Sequence, residues 1–223
     1  MEGRFPLGIR AVLTNCADAA KEREFNQWYT YTHLGDMLAS GLVTHAIRYE
    51  DASPKPGEPR YLAIYEIERD SLETVPQKLA ALVQGWRNQG RIHEALEMVS
   101  ATMWRSIGPQ FKTARTGRAR VTGLFLTQTN CADASREQAF NRWYDGTHVP
   151  DILATGLYHT AYRFEAVSPQ PGQARYLALY ETDAEDSLRA AEELLGVHRP
   201  RWLAAGRYTD GLQVVSRSVF RTL

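Results

Sequence analysis

Apolar and polar positions along the chain fall into one succession of elements that is then run through again. Arg10–Asn15 is a short apolar run, after which Phe25, Trp28, Tyr29 and Thr32 recur at the spacing of an amphipathic helix. Gly41 turns the chain into a strand over His45–Glu50. Tyr61–Ile67 alternates with period two, which puts its tyrosines on one face of a third strand. A helix over Ser71–Gln89 and a strand over Glu94–Ile107 complete the order β-α-β-β-α-β. The second succession comprises Val121–Thr129, the helical set Phe140, Trp143, Tyr144 and Thr147, strands over Thr160–Glu165 and Tyr176–Thr182, a helix over Ser187–Ala205 with one extra residue, and Gly211–Leu223. Asp18 and Asp133 suit the N-caps of the first helices. Pro150 predicts an end or kink, because proline disfavours helical geometry in the residue before it.

The two successions are copies. At a shift of 115 residues, Thr14–Glu66 and Thr129–Glu181 agree without a gap at roughly 30 of about 53 positions. Many matches are polar or aromatic, which a duplicated core alone does not require, so the repeat reports a duplicated pocket as well. The order βαββαβ is ferredoxin-like and leaves one sheet face bare. The expected fold is α+β: two tandem ferredoxin-like repeats packed sheet to sheet as an intrachain dimeric barrel. Its parts are residues 1–107, a linker over 108–120 rich in basic and small residues, and residues 121–223.

Composition narrows the picture further. Lys plus Arg equals Asp plus Glu at 26 each, and no basic stripe supports nucleic-acid binding. No signal peptide or membrane span is evident, so a cytoplasmic protein without membrane partners is expected. Cys16 and Cys131 hold equivalent places and read as small buried thiols rather than a disulfide.

The run F-N-x-W-Y-x-x-T-H-x-P-D-x-L at Phe140–Leu153 resembles the EthD-like branch of the dimeric α+β barrel superfamily, with a His-x-Pro turn after an aromatic helix. The resemblance extends over both repeats, although Gly35 stands where Pro150 does. It implies isomerases, cyclases, decarboxylases, quinone-forming monooxygenases or heme enzymes, most small members needing no cofactor.

On an ideal helix Tyr29, His33 and Asp36 lie at 0°, about +40° and about −20°, one stripe, and Tyr144, His148 and Asp151 repeat it. A histidine titrating near pH 6.5 exchanges protons at neutral pH, a carboxylate would orient it, and a phenol or indole N–H would donate to an enolate oxygen. The plain alternative has His33 and His148 capping a helix C-terminus. Trp28 and Trp143 serve as core or as substrate platform, and Asp36 and Asp151 as caps of the next turn or as partners of the histidines. Arg48 and Arg163 either pair with Glu66 or Glu181 across strands or bind a substrate carboxylate. Tyr61, Tyr65, Tyr176 and Tyr180 line the cleft or pack beside it, and Asn15 and Asn130 close a turn or touch substrate. His159 adds a polar group to the second copy, which together with Pro150 favours that half as the active one. His93 and His198, without counterparts, are expected at the surface. Asp36 and His33 lack a third metal ligand, so no metal or cofactor is expected. The function expected from these residues is a cofactor-independent isomerase of a small unsaturated carbonyl acid from aromatic breakdown, as a monomeric pseudo-dimer or homodimer. A cyclase or decarboxylase, a cofactor-free monooxygenase, and a non-catalytic small-molecule binder are the alternatives.

Overall fold

The computed structural model describes residues 1–69 and 71–223 and divides into two compact units, Pro6–Arg105 with Met1 and Leu223, and Ser106–Thr222 with Glu2–Phe5. In the first, strands β1 (Gly8–Cys16), β2 (His45–Asp51), β3 (Tyr61–Ile67) and β4 (Leu96–Lys112) pair antiparallel in the order β4-β1-β3-β2. In the second, β5 (Gly123–Cys131), β6 (Thr160–Ala166), β7 (Tyr176–Thr182) and β8 (Leu212–Thr222) pair in the order β8-β5-β7-β6. Each unit is thus a ferredoxin-like sheet. Arg10 faces Tyr65 across one ladder as Phe125 faces Tyr180 across the other. Both repeats also carry a register shift, at Leu13/Thr14 and Gln128/Thr129. Every residue of β3 and β7 is buried, which explains their near-continuous apolar and aromatic composition.

Helix α1 covers 22–39 as Glu22–Trp28, a π turn at Tyr29–His33, and Leu34–Ala39. Asp18 and Asp133 cap the short 3-10 turns before the first helices, their side chains accepting from the N–H groups of Ala20 and Ser135. Helix α2 is Val75–Asn88. Helix α3 repeats the first as Glu137–Trp143, a π turn at Tyr144–His148, and Val149–Ala154. Helix α4 runs as Ser187–Glu193, a π turn at Leu194–His198, and Arg199–Ala204.

Three expectations need correction. Pro150 does not end α3, because the Val149 N–H already reaches back five residues to the Tyr144 carbonyl and the proline enters where the ladder is displaced. The same π turn occurs over Gly35 in α1, so proline tolerates it rather than causes it. The stretch expected as linker is strand as far as Lys112. The first copy's second helix starts at Val75, four residues later than its Ser71 start in the sequence reading. The extra residue of the second copy lies in α4: Tyr65 and Tyr180 are 115 apart, Trp86 and Trp202 116, and the π turn between holds the surplus. Among the described residues no helix is long and apolar enough to cross a membrane.

Candidate functional site

In each repeat the helices leave a cavity over the sheet. The first is lined by Arg10, Val12 and Thr14 from β1, Tyr29, His33 and Met37 from α1, Tyr65 from β3, and Leu79, Val83, Ile92, Leu96 and Met98. The second is lined by the equivalents Phe125, Thr127 and Thr129, Tyr144, His148 and Ile152, and Tyr180, then by Leu194, Leu195, Arg199, Trp202, Tyr208 and Arg217 among others. Period-two alternation turns every other β1 or β5 residue to this face, and helical spacing brings the Tyr, His and apolar residue over it. The cavities measure about 70 Å³ and about 20 Å³.

His33 and His148 are each 8% exposed and sit under an indole. Trp28 stacks on His33 at 5.1 Å and 24°, Trp143 on His148 at 4.8 Å and 21°, while Tyr29 and Tyr144 meet the imidazoles edge-on at 4.9 Å. Among the described residues neither imidazole has a hydrogen-bond partner. Burial holds both in the base form, His33 at about 4 and His148 at about 3, against the pull of Asp36 and Asp151. Tyr29 and Tyr65 hydroxyls meet at 3.1 Å, Tyr144 and Tyr180 at 3.4 Å, and burial raises Tyr65 and Tyr180 well above ordinary phenols. Burial likewise raises Tyr29, so Tyr29, Tyr65 and Tyr180 stay protonated donors.

Several residues take other places. Asp36 and Asp151 do not orient the histidines: their carboxylates grip Arg91 and Arg207 at 2.6–3.1 Å. An i, i+4, i+7 stripe requires 3.6 residues per turn throughout, and the π turn between Tyr and Asp rotates the carboxylate off it. The histidines are mid-helix, so they do not cap a C-terminus either. Trp28 and Trp143 donate through Nε1 to the carbonyls of Arg91 and Arg207, both at 2.8 Å, and wall the imidazole rather than the cavity.

Arg48 and Arg163 line neither cavity, which removes them as carboxylate anchors. Each guanidinium lies 4.1 Å from the ring of Tyr29 or Tyr144, on β2 and β6. Arg48 bonds the Asn26 side chain, and Arg163 bonds Asp145 at 2.6 Å and Asn141 at 2.8 Å. Glu66 and Glu181, the expected cross-strand partners, are met by the Met1 ammonium and the Tyr162 hydroxyl, while Glu50 and Glu165 pair with Arg60 and Arg175. Tyr61 and Tyr176 donate to Glu22 and Glu137 and stand outside the cavities. Asn15 and Asn130 accept from the Arg60 and Arg175 N–H, which ties the first strand to the start of the third. His159 is fully buried away from the cavity, its Nδ1 2.8 Å from the Thr160 hydroxyl. His93 is half-buried, packing on Phe25 and Trp28. Cys16 and Cys131 are free thiols, neither fully buried.

Sequence reasoning missed Arg10, Arg199 and Arg217, because each is present in one repeat only. Shared identity drew attention to the matched arginines, which are structural. Among the described residues, His45, Glu66 and Glu68 bring potential ligand atoms within 4.8 Å of one another. The buried Glu66 carboxylate is already met there by the Met1 ammonium at 3.0 Å.

No family model matches the sequence. Core atranone cluster (CAC) protein 1 of Stachybotrys chlorohalonatus (strain IBT 40285) is 43% identical over 47 residues, 21% of this chain and only 20% of that protein. Solved structures resemble it over nearly all its length. A variant of DypB from Rhodococcus jostii RHA1 in complex with heme gives a TM-score of 0.62 at 10% identity, covering 98% of this chain and 93% of that one. A mutant chlorite dismutase from Candidatus Nitrospira defluvii gives 0.62 at 11%, covering 99% and 92%. A monooxygenase-like protein from Lactobacillus acidophilus NCFM gives 0.51 at 12%, covering 99% and 94%. The chain therefore shares the mixed α+β fold of these structures, here built from two ferredoxin-like repeats.

These likenesses overturn the expected cofactor-independent isomerase: the proteins sharing the fold are peroxidases, a chlorite dismutase and monooxygenase-like proteins, one of them solved with heme. A neutral buried imidazole is the group that heme iron takes as a ligand. The space beside it is the obstacle. One water takes about 10–15 Å³ on this scale, so cavities of about 20 and 70 Å³ hold a few waters and not a porphyrin. Heme does not fit either cavity as the side chains stand.

Proposed function

We propose that the chain is an oxidoreductase of the EthD-like branch, oxidising a small phenol- or enol-bearing molecule in the second-repeat cavity, with His148 taking the hydroxyl proton. The observation that carries this reading is His148 itself: buried, uncharged, without a hydrogen-bond partner among the described residues, and open to a cavity that also holds Arg199 and Arg217. The redox classes of the proteins that share the fold support it.

A base as weak as His148 takes a phenolic proton only if the anion left behind is stabilised at once. Arg199 and Arg217 supply positive charge, and the Tyr144–Tyr180 pair has a hydroxyl proton to spare for the oxygen. The phenolate is the electron-rich form that an oxidant attacks. A hydroquinone would lose two electrons and two protons to become a quinone, with peroxide reduced to two waters or dioxygen to peroxide. Admission of the substrate requires Leu194, Leu195 and Trp202 to part, and these sit in and after the π turn of α4, a kind of irregularity frequent at functional sites.

The test is consumption of peroxide or dioxygen with hydroquinone as probe. His148→Ala should lower turnover about 10²-fold or more. Because burial depresses His148 to about 3, the activity of the wild type should show no acid limb near pH 6.5 and stay level down to about pH 4. Full activity in His148→Ala, or a limb centred at pH 6–7, ends this reading.

A further inference from the structure

The two cavities are not copies in charge. Strand β1 presents Arg10, Val12 and Thr14 where β5 presents Phe125, Thr127 and Thr129. Arg10 makes no hydrogen bond or ion pair among the described residues, although it is partly buried; burial lowers its pKa, and the groups opposing that are the tyrosines Tyr65 and Tyr29, with no carboxylate. A desolvated guanidinium is normally paired, and this one lines the cavity with its N–H donors unmatched among the described residues. A second orphan lies beside it. Thr14 is 1% exposed and its hydroxyl has no hydrogen-bond partner among the described residues. The register shift at Leu13/Thr14 is the kind of bulge that re-aims a side chain next to a site. The Tyr29–Tyr65 pair uses one hydroxyl proton between its members and keeps one over. Apart from the uncharged His33, the remaining wall, Met37, Leu79, Val83, Ile92, Leu96 and Met98, is apolar.

We propose that the first-repeat cavity is a binding site for a small organic carboxylate, its anion held by Arg10 and Thr14 and its short apolar tail by the Met37–Leu79–Met98 wall. The site is separate from the oxidation assigned to the second repeat and does not depend on it. A carboxylate fits better than phosphate: the anionic end has one guanidinium and two hydroxyl donors, and the rest of the lining rejects further charge. A volume of about 70 Å³, roughly five waters, sets the tail as short.

The test is equilibrium binding of hexanoate and of 1-hexanol to the full chain by calorimetry. The wild type should take hexanoate at least about 10-fold more tightly than the alcohol. Arg10→Gln should weaken hexanoate about 10- to 100-fold, the usual range for hydrogen bonds to a charged group, and leave hexanol unchanged. Thr14→Val should weaken it about 3- to 10-fold, and Arg217→Gln, in the other cavity, should leave it unchanged. Because Arg10 has no hydrogen-bond or ion-pair partner to lose among the described residues, Arg10→Gln should melt no lower than the wild type in the absence of ligand. Equal affinity for acid and alcohol, undiminished hexanoate binding in Arg10→Gln, or loss of binding in Arg217→Gln overturns the proposal.

Discussion

The matched arginines show how a single residue's meaning depends on what it touches. Arg163 is 2% exposed, 2.6 Å from Asp145 and 4.1 Å from the Tyr144 ring, and a desolvated cation–π contact is worth up to about 2 kcal/mol. It therefore fixes the tyrosine that in turn meets His148 edge-on. Arg163→Ala should cost about 3 kcal/mol of stability, toward the lower end for breaking a buried pair because Asp145 keeps some access to water. Urea denaturation measures it, and a loss below about 1 kcal/mol would show the pair to be dispensable. At this scale Trp143, Tyr144, His148 and Tyr180 were legible from the sequence because all belong to the shared pattern. The roles of Asp151 and Arg163 were not, since the first needs the helix phase and the second needs its partner Asp145, which has no equivalent at Thr30.

At the scale of elements, strands β3 and β7 were readable to the residue from alternation alone. The π turns were not, because nothing in the composition of YTYTH or YDGTH announces hydrogen bonds that reach back five residues where a regular helix reaches back four. A second hidden feature is the close approach of strand and helix at one glycine per repeat. A Cβ on Gly8 would lie 2.5 Å from the Trp104 carbonyl oxygen and 2.6 Å from Leu72, and one on Gly123 2.4 Å from the Phe220 carbonyl oxygen and 2.7 Å from Ser187. Gly123→Ala should lower stability by about 1–3 kcal/mol through overpacking. Thermal melting checks this, and a neutral substitution would mean that α4 stands off more easily than its packing suggests.

For the whole molecule the two buried histidines act together on stability. Both are uncharged when folded, at about 4 and about 3, whereas in the unfolded chain they gain protons below about pH 6.5. The unfolded state then binds more protons, so stability is full above about pH 6.5 and is lost as pH falls towards 4 and 3, by a few kcal/mol in all. The double variant His33→Gln, His148→Gln should flatten the fall between pH 6.5 and 4 in chemical denaturation, and an unchanged slope would place the imidazoles in water. The repeat made the fold class legible, because thirty-odd shared positions had to serve one scaffold. The chemistry was less so: what distinguishes the cavities is what the copies do not share.

The surplus residue of the second copy has a genetic reading. It is a single codon, accommodated within Leu194–His198, and strands β5 to β8 keep the same pairing as their first-copy equivalents despite it. The extra residue is absorbed locally: Trp202 lies 6.4 Å from the His148 ring, nearly edge-on, as Trp86 lies 6.1 Å from that of His33. A lineage carrying this gene has a place where a codon comes or goes while the wall beside the imidazole stays put.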